Sequence, residues 1–185
     1  KNGEKTIFKQ DECPMETSFE KMSKLPPVFD KNGTVTAGNA SGISDGAAAM
    51  LITSEKFARR KGLAIKGFIN GEASGGVDPK YMGLGPIPAT KKLVDSTGRE
   101  VSDYQLVELN EAFASQAIAC LEEMDLDQEI TNVLGSGISL GHPIGCTGAR
   151  IIVTLINEME KRNLNLGLAT LCIGGGQGMA TEVER

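Results

Sequence analysis

The sequence holds a single histidine, and its four cysteines, Cys13, Cys120, Cys146 and Cys172, include no C-x-x-C pair. These residues cannot supply the usual ligand spacings of a zinc site, so no metal is expected. No apolar run approaches the roughly 20 residues that cross a bilayer, and no membrane role is expected. Blocks of Lys and Arg are missing too, and the formal net charge is −5, which leaves nucleic-acid or membrane-surface binding without support. A small anionic ligand stays open, because helix N-termini and local lysines bind one even in an acidic protein. With no secretory signal in view, reduced thiols in a cytosol-like compartment are expected instead of disulfides. The sequon-like Asn39-Ala40-Ser41 is discounted on the same ground. No internal period of 20–50 residues is found, which excludes repeat architectures.

Glycine is what the chain has in excess. Its 23 glycines cluster, and 40% hydrophobic with 23% charged residues is ordinary for a globular protein able to bury a core. The densest stretch, residues 132–150 (NVLGSGISLGHPIGCTGAR), carries five glycines, the lone His142 and Cys146. Such density signals backbone at positive φ or pressed close to a ligand. Around it the pattern alternates between strand and helix. Strands are expected over residues 47–53, 63–73, 104–109, 131–134, 166–173 and 179–183. Helices are expected from Ser54 to Lys61, from Pro86 or Pro88 to about Asp95, over 111–124 and over 147–162. This alternation predicts an α/β layered domain.

Three stretches carry chemistry. Gly137-Ile138-Ser139-Leu140-Gly141 matches the nucleophile elbow of α/β-hydrolases, but the one histidine lies three residues after Ser139, not far downstream. Gly135-Ser136-Gly137 followed by Gly141 is one residue off a dinucleotide fingerprint, and no acidic residue sits suitably after a following strand. Cys172 ends an apolar strand before three glycines, whose N–H groups are suited to an oxyanion hole, although a buried structural cysteine is the default. Asn110 reads as an N-cap, a catalytic group, or both.

NEAFA at 110–114, GHPIGCTGAR at 141–150 and CIGGGQG at 172–178 resemble the signatures of the thiolase family. TAGNASGISDGAAA at 36–49 and MGLGPIP at 82–88 match it in order and spacing, so the resemblance covers nearly the whole chain. It is strongest toward the short-chain acetyl-CoA C-acetyltransferase branch, and departs at Leu134, where many members carry asparagine. The resemblance implies a layered α-β-α fold with a mixed five-stranded sheet. It divides the chain into residues 1–40, the tail of the loop domain; 41–65, a returning strand and helix of the N-terminal domain; and 66–185, the C-terminal domain. Thiolases are about twice this long, and their acyl-accepting cysteine lies in the N-terminal half; Cys172 matches the second cysteine instead.

The resemblance implies ping-pong acyl transfer, with His142 as base toward the absent nucleophile and Cys172 abstracting the α-proton of a second acetyl-CoA. His142 with an Asn110-held water, and the Gly174 N–H, would stabilise developing oxyanions. Ser41, Ala37, Phe29, Met82, Ala112 and Phe113 are implied as contacts to coenzyme A. Coenzyme A thioesters would be substrates, with no permanently bound cofactor. The N-terminal half, in the same or a separate chain, would be the partner, and the complete enzyme a cytoplasmic homodimer or tetramer of fatty-acid metabolism. A non-catalytic half-thiolase scaffold is the alternative, opposed by the intact Asn110, His142 and Cys172.

Overall fold

A computed structural model of the chain describes residues 3, 5, 7–11 and 13–185. After a short helix α1 (Phe19–Ser23), an irregular segment runs to α2 (Glu55–Lys61). The Ser54 hydroxyl accepts from the Phe57 N–H to start α2, and Gly62 at φ 63° closes it. Both ends therefore follow from local side-chain chemistry, as expected. Next come β1 (Phe68–Gly76), a 3-10 turn at Pro79–Leu84, α3 (Pro86–Thr97), β2 (Leu106–Leu109) and α4 (Ala114–Glu123). The chain ends with α5 (Gly137–Leu140), α6 (Thr147–Arg162), β3 (Leu166–Ile173) and β4 (Gln177–Glu184).

The sheet has the order β1-β4-β3-β2. β4 runs antiparallel to both β1 and β3, while β2 and β3 are parallel. One face packs under α3 and α4 through Leu93, Val107, Leu109, Ala117, Cys120 and Leu168. The other packs under α6 through Leu106, Ile151, Leu155, Met159, Ala169 and Val183. This is the expected α-β-α layering, because strands covered on both faces need apolar residues on both.

The sheet has four strands where five were expected. The missing one is 131–134, which would flank β2 and is reduced to a single bridge between Val107 and Thr131. Asn132 turns to φ 52° and Gly135 to φ 88°, so the backbone leaves the extended region at once. Residues 47–53 also form no strand: Leu51 and Ile52 stay 76% and 67% exposed, with no ladder neighbour among the described residues. β1 starts at Phe68 instead of residue 63, where pairing to Glu184 begins. The helix expected from residue 111 starts at Ala114 with Phe113 in the N-cap position, so Asn110 is not its cap.

One close approach fixes the layer above β4. A Cβ on Gly178 would lie 2.0 Å from the Gly85 carbonyl carbon and oxygen, so the start of α3 rests directly on the strand. Gly178 is paired with Cys172 on one side and Gly75 on the other. Because the obstacle is backbone, no rotamer change relieves it. Gly178→Ala is expected to lower the unfolding free energy by about 1–3 kcal/mol in urea titration; an unchanged midpoint would refute the packing argument.

Candidate functional site

The site forms where β2 ends beside the C-terminal part of β3. Asn110 follows β2 directly, its N–H bonded to the Thr170 carbonyl at 3.0 Å, and it is fully buried. Asn132 holds this strand end with its side-chain amide: Oδ1 accepts from the Leu109 N–H at 2.9 Å and Nδ2 donates to the Leu109 carbonyl at 2.8 Å. The amide thus replaces a rung of the missing strand. Ser136, also fully buried, donates to the same carbonyl at 3.0 Å.

His142 sits between α5 and α6. Gly141 before it adopts φ 99°, and a Cβ there would meet the Ser44 hydroxyl at 2.5 Å, so the turn demands glycine. A parallel bridge pairs His142 with Ile43. The imidazole Nε2 faces the Asn110 amide nitrogen at 3.5 Å, and Nδ1 lies 2.7 Å from the Thr147 hydroxyl. Burial lowers the imidazole's proton affinity, and the nearby Arg150 cation lowers it further. The ring is therefore held as a neutral base.

Cys172 is buried on the strand beside Asn110 and shares the α4-facing side with Cys120. Burial pushes the Cys172 thiol up, and pushes Cys120 to about 11, with Cys172 adding to the rise. No hydrogen bond joins Cys172 to His142 among the described residues. Gly174 stands in the exposed hairpin after Cys172, where a Cβ would meet nothing within 4 Å. This end of the hairpin is open to a ligand.

Four of the residues assigned to coenzyme A come together. Ser41 N–H bonds the Ala112 carbonyl at 2.9 Å, and the Phe29 and Phe113 rings meet edge to face with centroids 5.7 Å apart. The Ser41 hydroxyl has no protein partner among the described residues. Ala37 and Met82 stand on separate segments, an exposed turn tied by Asn39 to Thr36 and the 3-10 turn against α4. Leu134, the departure from the motif, is half exposed and outside both core clusters.

Sequence reasoning passed over Thr147, Glu108 and Arg150. Glu108 shares with Leu106 the α6-facing row of β2 and is fully buried. Both its carboxylate oxygens, the Asn110 Oδ1 and all three Arg150 guanidinium nitrogens are buried without a hydrogen-bond partner. A charged residue inside a four-residue buried strand was the available signal. Burial raises the Glu108 carboxyl to about 7, with Arg150 opposing the rise.

The thiolase C-terminal domain model matches residues 63–185 and the thiolase N-terminal domain model residues 1–56. The chain belongs to the thiolase family. The acetyl-CoA acetyltransferase of Escherichia coli (strain K12) is 53% identical, over 97% of this chain and 46% of its own length. The crystal structure of the Bacillus anthracis acetyl-CoA acetyltransferase superimposes with a TM-score of 0.92 at 49% identity, over all of this chain and 47% of that one. Human mitochondrial 3-ketoacyl-CoA thiolase in complex with CoA gives 0.91 at 44% identity, over 94% of this chain and 44% of that one. The chain spans about half the length of the relatives it matches.

The buried carboxyl gives a pH-dependent stability. Held at about 7 against an ordinary 4.5, Glu108 keeps a proton in the folded state that the unfolded chain has already lost. Stability contributed by this group is thus full below 4.5 and falls as pH rises toward 7. Glu108→Gln, neutral throughout, is expected to match the wild type in acid and exceed it above neutrality by roughly 3 kcal/mol in urea unfolding. A gap that does not widen with pH would contradict the assignment.

Proposed function

We propose that this chain is the C-terminal half of a short-chain acetyl-CoA C-acetyltransferase, which interconverts two acetyl-CoA with acetoacetyl-CoA and CoA. The observation that carries this reading is the His142 imidazole lodged between Asn110 and Thr147, with Cys172 near the end of the neighbouring strand. Relatives named acetyl-CoA acetyltransferase support the substrate class, and the T-shaped Phe29–Phe113 pair suits a narrow acyl tunnel.

The proton ledger closes with two groups from this chain and one thiol from outside it. None of the four cysteines stands in the context of the acyl-accepting nucleophile, which is expected from the N-terminal half. His142 Nε2 takes that thiol's proton as its sulfur bonds the acyl carbon and the CoA sulfur leaves. Cys172, which burial holds as a thiol, protonates the departing CoA thiolate and becomes a thiolate itself. It then removes the α-proton of a second acetyl-CoA. The resulting enolate attacks the acyl-enzyme, and His142 returns its proton to the released sulfur. During the two steps the His142 N–H, an Asn110-bound water and the Gly174 N–H would receive the oxyanion charge. Ser41, Phe29, Ala112 and Phe113, with Ala37 and Met82, would line the coenzyme A path.

Residues 1–40 would belong to the loop domain, 41–65 to the N-terminal domain and 66–185 to the C-terminal domain. The bare Leu51 and Ile52 suit a segment whose sheet lies in the other half. Thiolase-like dimers or tetramers, acting in cytoplasmic acyl-CoA metabolism, are the expected assembly. No described helix is long and apolar enough to cross a membrane.

The test supplies the N-terminal half of the Escherichia coli relative in trans, with intact-mass and gel analysis to define the chains present. Thiolysis of acetoacetyl-CoA is expected from the mixture and not from this chain alone. His142→Ala and Cys172→Ala are each expected to lower turnover about 10²- to 10⁴-fold. Wild-type turnover in either variant, or activity from this chain alone, would overturn the reading.

A further inference from the structure

We infer that Thr147 is the positioning residue of the site: its hydroxyl accepts the Nδ1–H of His142 and so leaves Nε2 as the bare, proton-accepting nitrogen. The inference rests on the proposed function for its catalytic meaning, but the hydrogen-bond logic is independent of it. The Thr147 side chain is completely buried at the first position of α6, a helix of 16 residues that fixes it. Its hydroxyl has one proton and two neighbours, the Pro143 carbonyl at 3.0 Å and His142 Nδ1 at 2.7 Å. The hydroxyl proton is assigned to the carbonyl, in the back-bond that a helical threonine commonly makes to the fourth carbonyl before it. The Cys146 and Thr147 N–H groups reach the same oxygen at 2.8 and 3.0 Å. The hydroxyl oxygen then accepts, and Nδ1 donates.

A neutral imidazole carries one N–H, so Nε2 is bare. Its neighbour, the Asn110 amide nitrogen at 3.5 Å, is a donor, which suits a lone pair and not a second N–H. Free imidazole side chains favour the opposite tautomer, so the fold must impose this one. The same tautomer serves both halves of the reaction. Bare Nε2 takes the thiol proton, and once protonated it presents an N–H toward the oxyanion without the ring turning. Thr147 also blocks ring rotation, because the short contact is lost if the imidazole flips.

Having a single histidine makes the test unambiguous. Nitrogen-15 NMR correlation spectra of the ¹⁵N-histidine-labelled chain at neutral pH are expected to show a protonated, pyrrole-type Nδ1 and a pyridine-type Nε2. Thr147→Ser should keep that pattern, and Thr147→Val should lose it in favour of the Nε2–H form. A wild-type spectrum with Nε2 protonated, or a folded Thr147→Val with an unchanged spectrum, would overturn the inference. The wild-type spectrum decides even where Thr147→Val does not fold. In the complemented enzyme, Thr147→Val is expected to lower kcat by about 10²-fold with KM little changed, and Thr147→Ser to restore it. Nδ1 protonation without thiolysis from any mixture would sink the functional reading and leave the role of Thr147 in place. Thiolysis with Thr147→Val equal to wild type would sink the inference alone.

Discussion

The parallel register of β2 on β3 is the constraint on which the site depends. Leu106 pairs with Gly167 and Leu109 with Thr170, so β2 ends beside the last residues of β3, which runs on to Ile173. Asn110 and Cys172 are the first useful positions at those ends, and one residue of slip would send each to the opposite face. A parallel pair needs a long crossover, and here it passes α4 on one face before returning through α6 on the other. His142 is delivered by that return, at the point where the chain turns from α5 into α6. The sheet thus places two groups by register, and the crossover adds the third.

Where an element is encoded by its own residues, the sequence was sufficient. α2 is bounded by Ser54 and Gly62, and α6 and β3 run over the residues their patterns marked, Thr147–Arg162 and Leu166–Ile173. Strands at 47–53 and 131–134 could not be read in this way, because a strand exists only with its neighbour. Both stretches have strand-like composition, yet one finds no ladder among the described residues and the other yields its pairing to the Asn132 side chain. The site divides along the same line. Asn110, His142 and Cys172 stand inside recognisable motifs, which implied a water held by Asn110 beside His142; the direct 3.5 Å approach of the two side chains appears only in the fold. Thr147 is legible in the sequence only as a helix-start residue, and its contact with Nδ1 arises from the fold of the Gly141–Pro143 turn. Gly85 and Gly178, 93 positions apart, reveal their mutual need only once α3 lies on β4.

The polar layer between β2 and α6 shows what the site costs the fold. A β2 strand of Leu, Val, Leu and Leu would pack without penalty, whereas Glu108 buries a carboxyl with no hydrogen-bond partner. Burial answers by raising its proton affinity to about 7, so near neutrality a large share of the molecules keep the carboxyl protonated. Arg150 acts on both groups: its charge opposes the rise at Glu108 and adds to the lowering that burial imposes on His142. Burial is the larger cause at each of them. The same low-dielectric layer therefore holds the carboxyl's proton and frees the imidazole of its own.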